Sequence, residues 1–295
     1  MAVRVADRPE PGRFSLSRLG PGDEAELVRF LARHPSDNAY FIGQVERGAL
    51  DDELIAGTLV GVYRRRELVG AACLGSNLVL SRPLPDACMA DLARASHEAG
   101  WLLRVVVGED DVVARFMRHL GTSAGPIALE RAGQLLFEVD RDHIARDARS
   151  AELRPAQPHE LDTLMECDLA MVREELGMDP FSADWSGFKR GWYRRVMEWR
   201  AWVVGPLGGP IRFKVDQAAV SPLVVQLAGV WTRPEERGRG LARRALGEMC
   251  HLLLREAPRV CLYVHPDNEP AVRLYRSLGF RQVGHVRSVW LAWTG

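Results

Sequence analysis

At 295 residues the chain is long for one hydrophobic core and comfortable for two domains. Apolar residues make up 47%, and 39 basic residues balance 39 acidic ones with no sustained basic run, so neither nucleic acid nor an anionic membrane surface is expected as the main partner. Five scattered cysteines (73, 88, 167, 250, 261) lack metal-type spacing, which predicts reduced core thiols, no metal and a cytoplasmic setting.

From the start of the chain, residues 1–12 read as a loose polar lead without the apolar segment of a signal peptide. Phe14 to Leu19 reads as a strand, and helices follow over 23–33 and 38–48. Two apolar runs, 58–63 and 68–74, flank Arg64-Arg-Arg-Glu67 as a hairpin. Strands are expected at 77–81, 102–107 and 134–139, with helices over 85–99 and 112–120. The charged stretch 140–151, a linker or a short helix, divides the chain at 145/146.

The second half repeats that order. A strand at 152–154 precedes helices over 158–176 and 183–199, and strands 201–204 and 211–216 form a hairpin. The buried strand 223–231 leads into Pro234-Glu-Glu-Arg-Gly-Arg-Gly-Leu-Ala242, and apolar positions 241, 242, 245, 246, 249, 252 and 253 give an amphipathic helix. Strand 259–264, helix 268–278 and strand 285–293 close the chain.

The last thirds of the halves superpose at a constant offset of 158, with Gly279 on Gly121, Arg273 on Arg115 and Val264 on Val106, which suggests a duplication. Two glycines at a strand-to-helix turn expose unpartnered amides at the positive end of a helix and suit an anion, although an ordinary turn looks the same. The equivalent stretch of the first half, Val79 to Leu84, has no glycine and carries Pro83, which removes a donor. Chemistry is therefore expected in the second half alone.

Arg237-x-x-Gly240-x-Ala242 resembles the acyl-CoA pyrophosphate loop of the GNAT superfamily of N-acetyltransferases. Asn268-x-x-Ala271-x-x-x-Tyr275-x-x-x-Gly279-Phe280 resembles that family's second signature, in the family's order. The two cover roughly residues 200–290. The resemblance implies an α/β fold of two tandem GNAT-like domains, each a mixed, mostly antiparallel sheet flanked by helices, with 1–145 degenerate and 146–295 catalytic. Acetyl-CoA, or another acyl-CoA, would be the co-substrate, and the acceptor a small-molecule or peptide amine, in a monomer or homodimer.

It also implies site roles. Backbone N–H groups of Gly238, Arg239, Gly240, Leu241 and Ala242, with the Arg237 and Arg239 charges, would hold the pyrophosphate. The backbone of Val230, Trp231 and Thr232 would pair with the pantetheine arm like an added strand. Asn268 would bind cofactor oxygens, cap the next helix, or do both. Tyr275 takes the general-acid position, where the first half has Met117, and its alternative is a core aromatic.

The base stays open. Gln226 stands where better-known members carry a strand glutamate, and an amide can orient a group but not accept its proton. Asp216, Glu174 and Glu175 are alternatives, as is a water chain, and the bland reading of each acid is a surface carboxylate. Arg173-Glu-Glu-Leu-Gly-Met-Asp-Pro180 places three acids where the family binds its acceptor, and His265 is a possible shuttle. Trp185, Trp192, Trp199 and Trp202 read as core before pocket. A CoA-binding sensor without turnover, or transfer of a longer acyl or aminoacyl group, is the competing function.

Overall fold

The computed structural model describes residues 14–48, 50, 57–121, 125–150, 152–177 and 185–292. The polar lead 1–12, the segment Met178-Asp179-Pro180, the expected helix start at 183–184 and Trp293 lie outside the described residues. The chain forms two compact units, one of residues 1–136 with 283–295 and one of 137–282.

In the first unit, β1 (Phe14–Arg18), β2 (Gly57–Arg64), β3 (Glu67–Gly75) and β4 (Asn77–Leu80) run antiparallel, and β5 (Val105–Glu109) lies parallel to β4. The helices are α1 (Glu24–Leu31), α2 (Ala39–Glu46), α3 (Met89–Glu98) and α4 (Asp110–Leu120). The strand expected to close the second half, β12 (Arg281–Leu291), pairs antiparallel with β5 from Val286↔Glu109 to Trp290↔Val105. Val289 and Leu291 enter the core formed by Val60, Leu78, Leu92, Val113 and Phe116. Each apolar side chain so buried contributes roughly 1.5–3 kcal/mol, so this late strand is integral to the unit.

Strand β6 (Ile127–Asp140) passes from the first unit into the second. It is longer than the 134–139 run predicts, because its largely exposed first half, Ala128-Leu-Glu-Arg-Ala-Gly133, carries no strict apolar–polar alternation to betray it. Residues 141–150 form turns rather than a helix.

The second unit holds β7 (Leu153–Pro155), β8 (Ala201–Val204), β9 (Phe213–Val220) and β10 (Val225–Thr232) in antiparallel order, with β11 (Arg259–Val264) parallel to β10. Helices α5 (Leu161–Leu176) and α6 (Trp185–Met197) share a core with Ala201, Val203, Ile211 and Trp231. Helix α7 (Leu241–Leu253) packs on β9 and β10, and α8 (Glu269–Ser277) follows β11. Successive strand residues point to opposite faces, yet Phe213 to Gln217 are all buried, so both faces of β9 are covered. Arg154 anchors β7 by a two-point ion pair to buried Glu160, at 2.7 and 2.8 Å. Of the four tryptophans expected in the core, Trp192 is buried, whereas Trp185 and Trp199 are 47% and 62% exposed. Trp199, two residues beyond α6, has a positive φ, and its carbonyl accepts the Trp202 indole N–H at 3.0 Å.

No helix is long and apolar enough to cross a membrane, and no group of three or more metal-ligating side chains occurs among the described residues.

Candidate active site

Gly238 and Gly240 both take left-handed conformations, φ 74° and 72°. At Gly238 an added Cβ would meet open space, so its backbone, not crowding, requires glycine. Gly240 is the N-cap of α7 and offers no side-chain acceptor, which leaves the first-turn amides of Leu241, Ala242 and Arg243 uncapped by a side chain. Leu241 is buried and pins the helix start, and Ala242 is half-buried.

Around that start, Arg237 donates to the Thr232 carbonyl at 2.9 Å and pairs with Glu174 at 2.8 Å, while the Arg239 side chain is 71% exposed. Arg212 grips Glu236 at two points, each 3.1 Å, and this hydrogen bonding holds the Glu236 carboxyl below its usual range. Arg244 lies within 3.2 Å of a Cβ built on Gly240 and donates to the Arg239 carbonyl at 3.3 Å. Sequence reasoning missed Arg244, and its signal was position: a cation one turn into the helix behind the loop.

Strand β10 is the second component. It pairs with β11 only at Val225↔Val260 and Gln226↔Cys261, although it runs on to Thr232. On its other side the register with β9 shifts between Ala228 and Trp231, which leaves Gly229 and Val230 in a bulge. The two strands thus splay, and main-chain groups beyond Gln226 face the gap. Trp231 is buried, with its indole Nε1 lacking a hydrogen-bond partner.

Helix α8 is the third. Asn268 accepts from the Ala271 N–H at 3.2 Å, so its oxygen caps the helix and its amide nitrogen remains for another acceptor. Tyr275 is buried, with ring centroids 6.1 Å from Phe137 and 5.9 Å from Phe280. Burial, with the Glu175 charge behind it, pushes its phenol well above the ordinary value, so it stays protonated and able to donate. His265 is held within its own turn, where its Nδ1 accepts from the Asp267 N–H at 3.3 Å.

The remaining acids separate sharply. Glu174 is engaged by Arg237, and Glu175 is exposed. Gln226 is buried on β10 beside its Cys261 partner. Asp216 is buried on β9 with Lys214, whose Nζ lies 2.8 Å from Asp168 Oδ1 and 3.5 Å from Asp216 Oδ2. Trp192 closes the group, its Nε1 donating to Asp168 at 3.2 Å and its ring lying 4.8 Å from the Lys214 ammonium. Desolvation raises the Asp216 carboxyl to about 6, against the opposing pull of Lys214. For Lys214, burial alone works downward, but the facing carboxylates win and raise it. Lys214 and Asp168 were not singled out from the sequence. The available signal was that Lys214 is one of only two lysines among 39 basic residues.

The corresponding place in the first unit is closed. Strands β4 and β5 pair through three successive residues, Asn77↔Val105 to Val79↔Val107, and an added Cβ on Gly108 would lie 2.9 Å from the Leu80 carbonyl. Asn38 takes up both backbone groups of Arg82, accepting its N–H at 2.8 Å and donating to its carbonyl at 2.7 Å. Buried Ser81 binds the Ala71 N–H and the Pro83 carbonyl.

Residues 173–280 match the Acetyltransferase (GNAT) family. A mycothiol acetyltransferase of Thermobispora bispora is 34% identical over 149 residues, which cover 49% of this chain and 44% of that one. The chain spans less than half the length of the curated relatives it matches. Among solved structures, a tandem GNAT protein from the clavulanic acid biosynthesis pathway superposes with a TM-score of 0.55 at 13% identity, covering 96% of this chain and 100% of that chain. A GCN5-related N-acetyltransferase from Sphaerobacter thermophilus gives 0.56 at 16% identity, covering 94% of each chain. These structures share the fold.

Proposed function

We propose that the protein transfers an acetyl group from acetyl-CoA to a primary amine by direct attack on the thioester, a reading supported by the match of residues 173–280 to the Acetyltransferase (GNAT) family. Acetyl-CoA is a substrate here, consumed at each turnover. One observation carries the reading: an uncapped helix start behind two left-handed glycines lies at the end of a strand whose far edge is unpaired. Diphosphate fits the first feature and an amide-bearing extended arm fits the second.

In this reading the amides of Gly238 to Ala242 bind the diphosphate, and Arg237, Arg239 and Arg244 supply charge. Val230 to Thr232 hold the pantetheine arm, with bulge amides at the carbonyl where negative charge develops. Asn268 contributes its free amide nitrogen. Tyr275 protonates the departing thiolate, whose proton affinity is raised by the same exclusion of water that raises the phenol's. The base is one of Asp216, Glu175 or a water oriented by Gln226. The first unit, with its loop filled by Asn38, plays no part in the chemistry. The acceptor is a small-molecule or peptide amine.

The test is thiol release from acetyl-CoA with a panel of primary amines, with Tyr275→Phe run in parallel. Amine-dependent release that falls in the variant supports the proposal. The amide at Gln226 favours a second reading, a CoA-binding sensor, and tight acetyl-CoA binding with no turnover on a broad panel would select it. Turnover with longer acyl-CoA thioesters alone would replace acetyl with a larger group.

A further inference from the structure

We infer that the buried Asp168–Lys214–Asp216 cluster is the acceptor side of the active site: Asp216 Oδ1 receives the ammonium group of a cationic primary amine and takes its proton, and Lys214 is the positioning residue that holds Asp216. The inference rests on the acetyl-transfer reading and names the base and the substrate charge within it.

Three observations converge on Asp216. Its Oδ1 is buried without any hydrogen-bond partner, while Oδ2 faces Lys214. Carboxylate oxygens so deep in a protein are almost always partnered, so an open one beside a candidate site invites a donor. Second, two carboxylates share the one ammonium that contacts them, and the other cation acting on Asp216, Arg195, makes no hydrogen bond to its Oδ1.

Third, the cluster abuts the bulge. A Cβ built on Gly229 would lie 2.4 Å from Asp216 Oδ2 and 2.7 Å from Lys214 Nζ. The carboxylate therefore touches backbone adjoining Val230, one of the residues assigned to the thioester arm. A base must lie within hydrogen-bond reach of the proton it removes, and the carboxylate nearest to a Cβ built on Gly229 is that of Asp216. Glu174 is committed to Arg237 across the loop.

The charged groups around Asp216 are Lys214 on its own strand, Asp168 from α5 and Arg195 from α6, whose guanidinium stacks on Trp192 at 5.2 Å. Opposite β9, the bulge itself offers Gly229 and Val230, which carry no charge. Desolvation holds the Asp216 carboxyl above the ordinary carboxylate range, which makes it the better proton acceptor. The step balances: R–NH3+ gives one proton to Asp216, and the freed amine attacks the thioester carbon. The C–S bond then breaks, and Tyr275 protonates the thiolate. The new amide nitrogen returns a proton to the phenolate, and Asp216 releases its own to solvent.

The experiment uses the full chain with acetyl-CoA and a primary alkylamine, following kcat/KM against pH together with acetyl-CoA affinity by calorimetry. Wild type should show an acid limb near 6. Asp216→Asn should lower kcat at least about 100-fold and leave acetyl-CoA affinity unchanged. Lys214→Met should move the acid limb upward by about one pH unit, because a facing cation normally lowers a carboxyl by that much or more. Lys214→Arg should restore most of the limb's position. Carboxyl carbon NMR of Asp216 gives the same shift without turnover, and thermal melts identify a variant that has unfolded.

An unchanged acid limb and NMR titration in folded Lys214→Met would overturn the inference. So would full turnover in Asp216→Asn, or loss in Glu175→Gln alone. Absence of acetyl-CoA binding by the wild type would instead defeat the acetyl-transfer reading.

Discussion

Replacing Gly229 by alanine tests the bulge most directly. The new methyl would lie 2.4 Å from the Asp216 carboxylate, about 1 Å inside ordinary contact, and 2.7 Å from Lys214 Nζ. Neither neighbour is the free end of a surface chain, since both are buried and bound to each other. Overpacking of this kind costs roughly 1–3 kcal/mol. The backbone adds roughly 1–2 kcal/mol, because φ is 61° and alanine adopts that conformation poorly. The sum, about 2–5 kcal/mol, corresponds to a fall of roughly 5–15 °C in Tm for a unit of this size. Gly238→Ala is the matched control: its φ is 74° but its Cβ would meet nothing, so only the backbone cost remains. Differential scanning calorimetry of both variants isolates the packing contribution by difference. Equal losses in the two would refute the close approach of bulge and charge pair, and with it the link between Asp216 and the thioester site.

Gly240→Asp should weaken CoA binding at least about 100-fold, since a carboxylate would face the diphosphate at the helix start; calorimetric titration measures it, and Arg82→Asp in the first unit should leave affinity alone. Tyr275→Phe should lower kcat about 100-fold or more with little change in Tm, because the ring contacts to Phe137 and Phe280 survive. Acid should act on Glu160 and Asp216 in opposite senses. Hydrogen bonding to Arg154 depresses the Glu160 carboxyl, so its stabilisation is complete above its ordinary value and is lost as pH falls through the lowered one. Asp216 is raised instead, so its burden on the fold is relieved between about 6 and the ordinary 3.8. Urea denaturation at stepped pH should show Glu160→Gln to be destabilising at pH 7, with the loss shrinking as pH falls through the lowered Glu160 value.

Much of the candidate site was legible because the chemistry proposed for it is backbone chemistry. Gly238 and Gly240 had to be glycine for conformational reasons, and Asn268 and Tyr275 stand at fixed spacing on one helix, so local sequence carried the pattern. The repeated order of elements was legible for the same reason, as each copy has its own alternations and periodicities. The charge cluster was not. Phe213-Lys-Val-Asp216 alternates like a strand with one wet face, and only the helices over it turn that face into an interior. Nor did composition separate Trp192, which the sheet buries, from Trp199, which stands exposed at a positive φ. The partner of the final strand was equally hidden, since pairing across the whole length of a chain leaves no short-range trace.

That final strand sets a schedule for synthesis. The N-terminal unit cannot seal the open side of β5 until β12 has left the ribosome, so Val105–Glu109 waits with unpaired main-chain groups while the entire second unit is made. The module translated first is therefore finished last, and a gene cut between the two repeats yields one protein short of a strand and another carrying a strand with nowhere to dock.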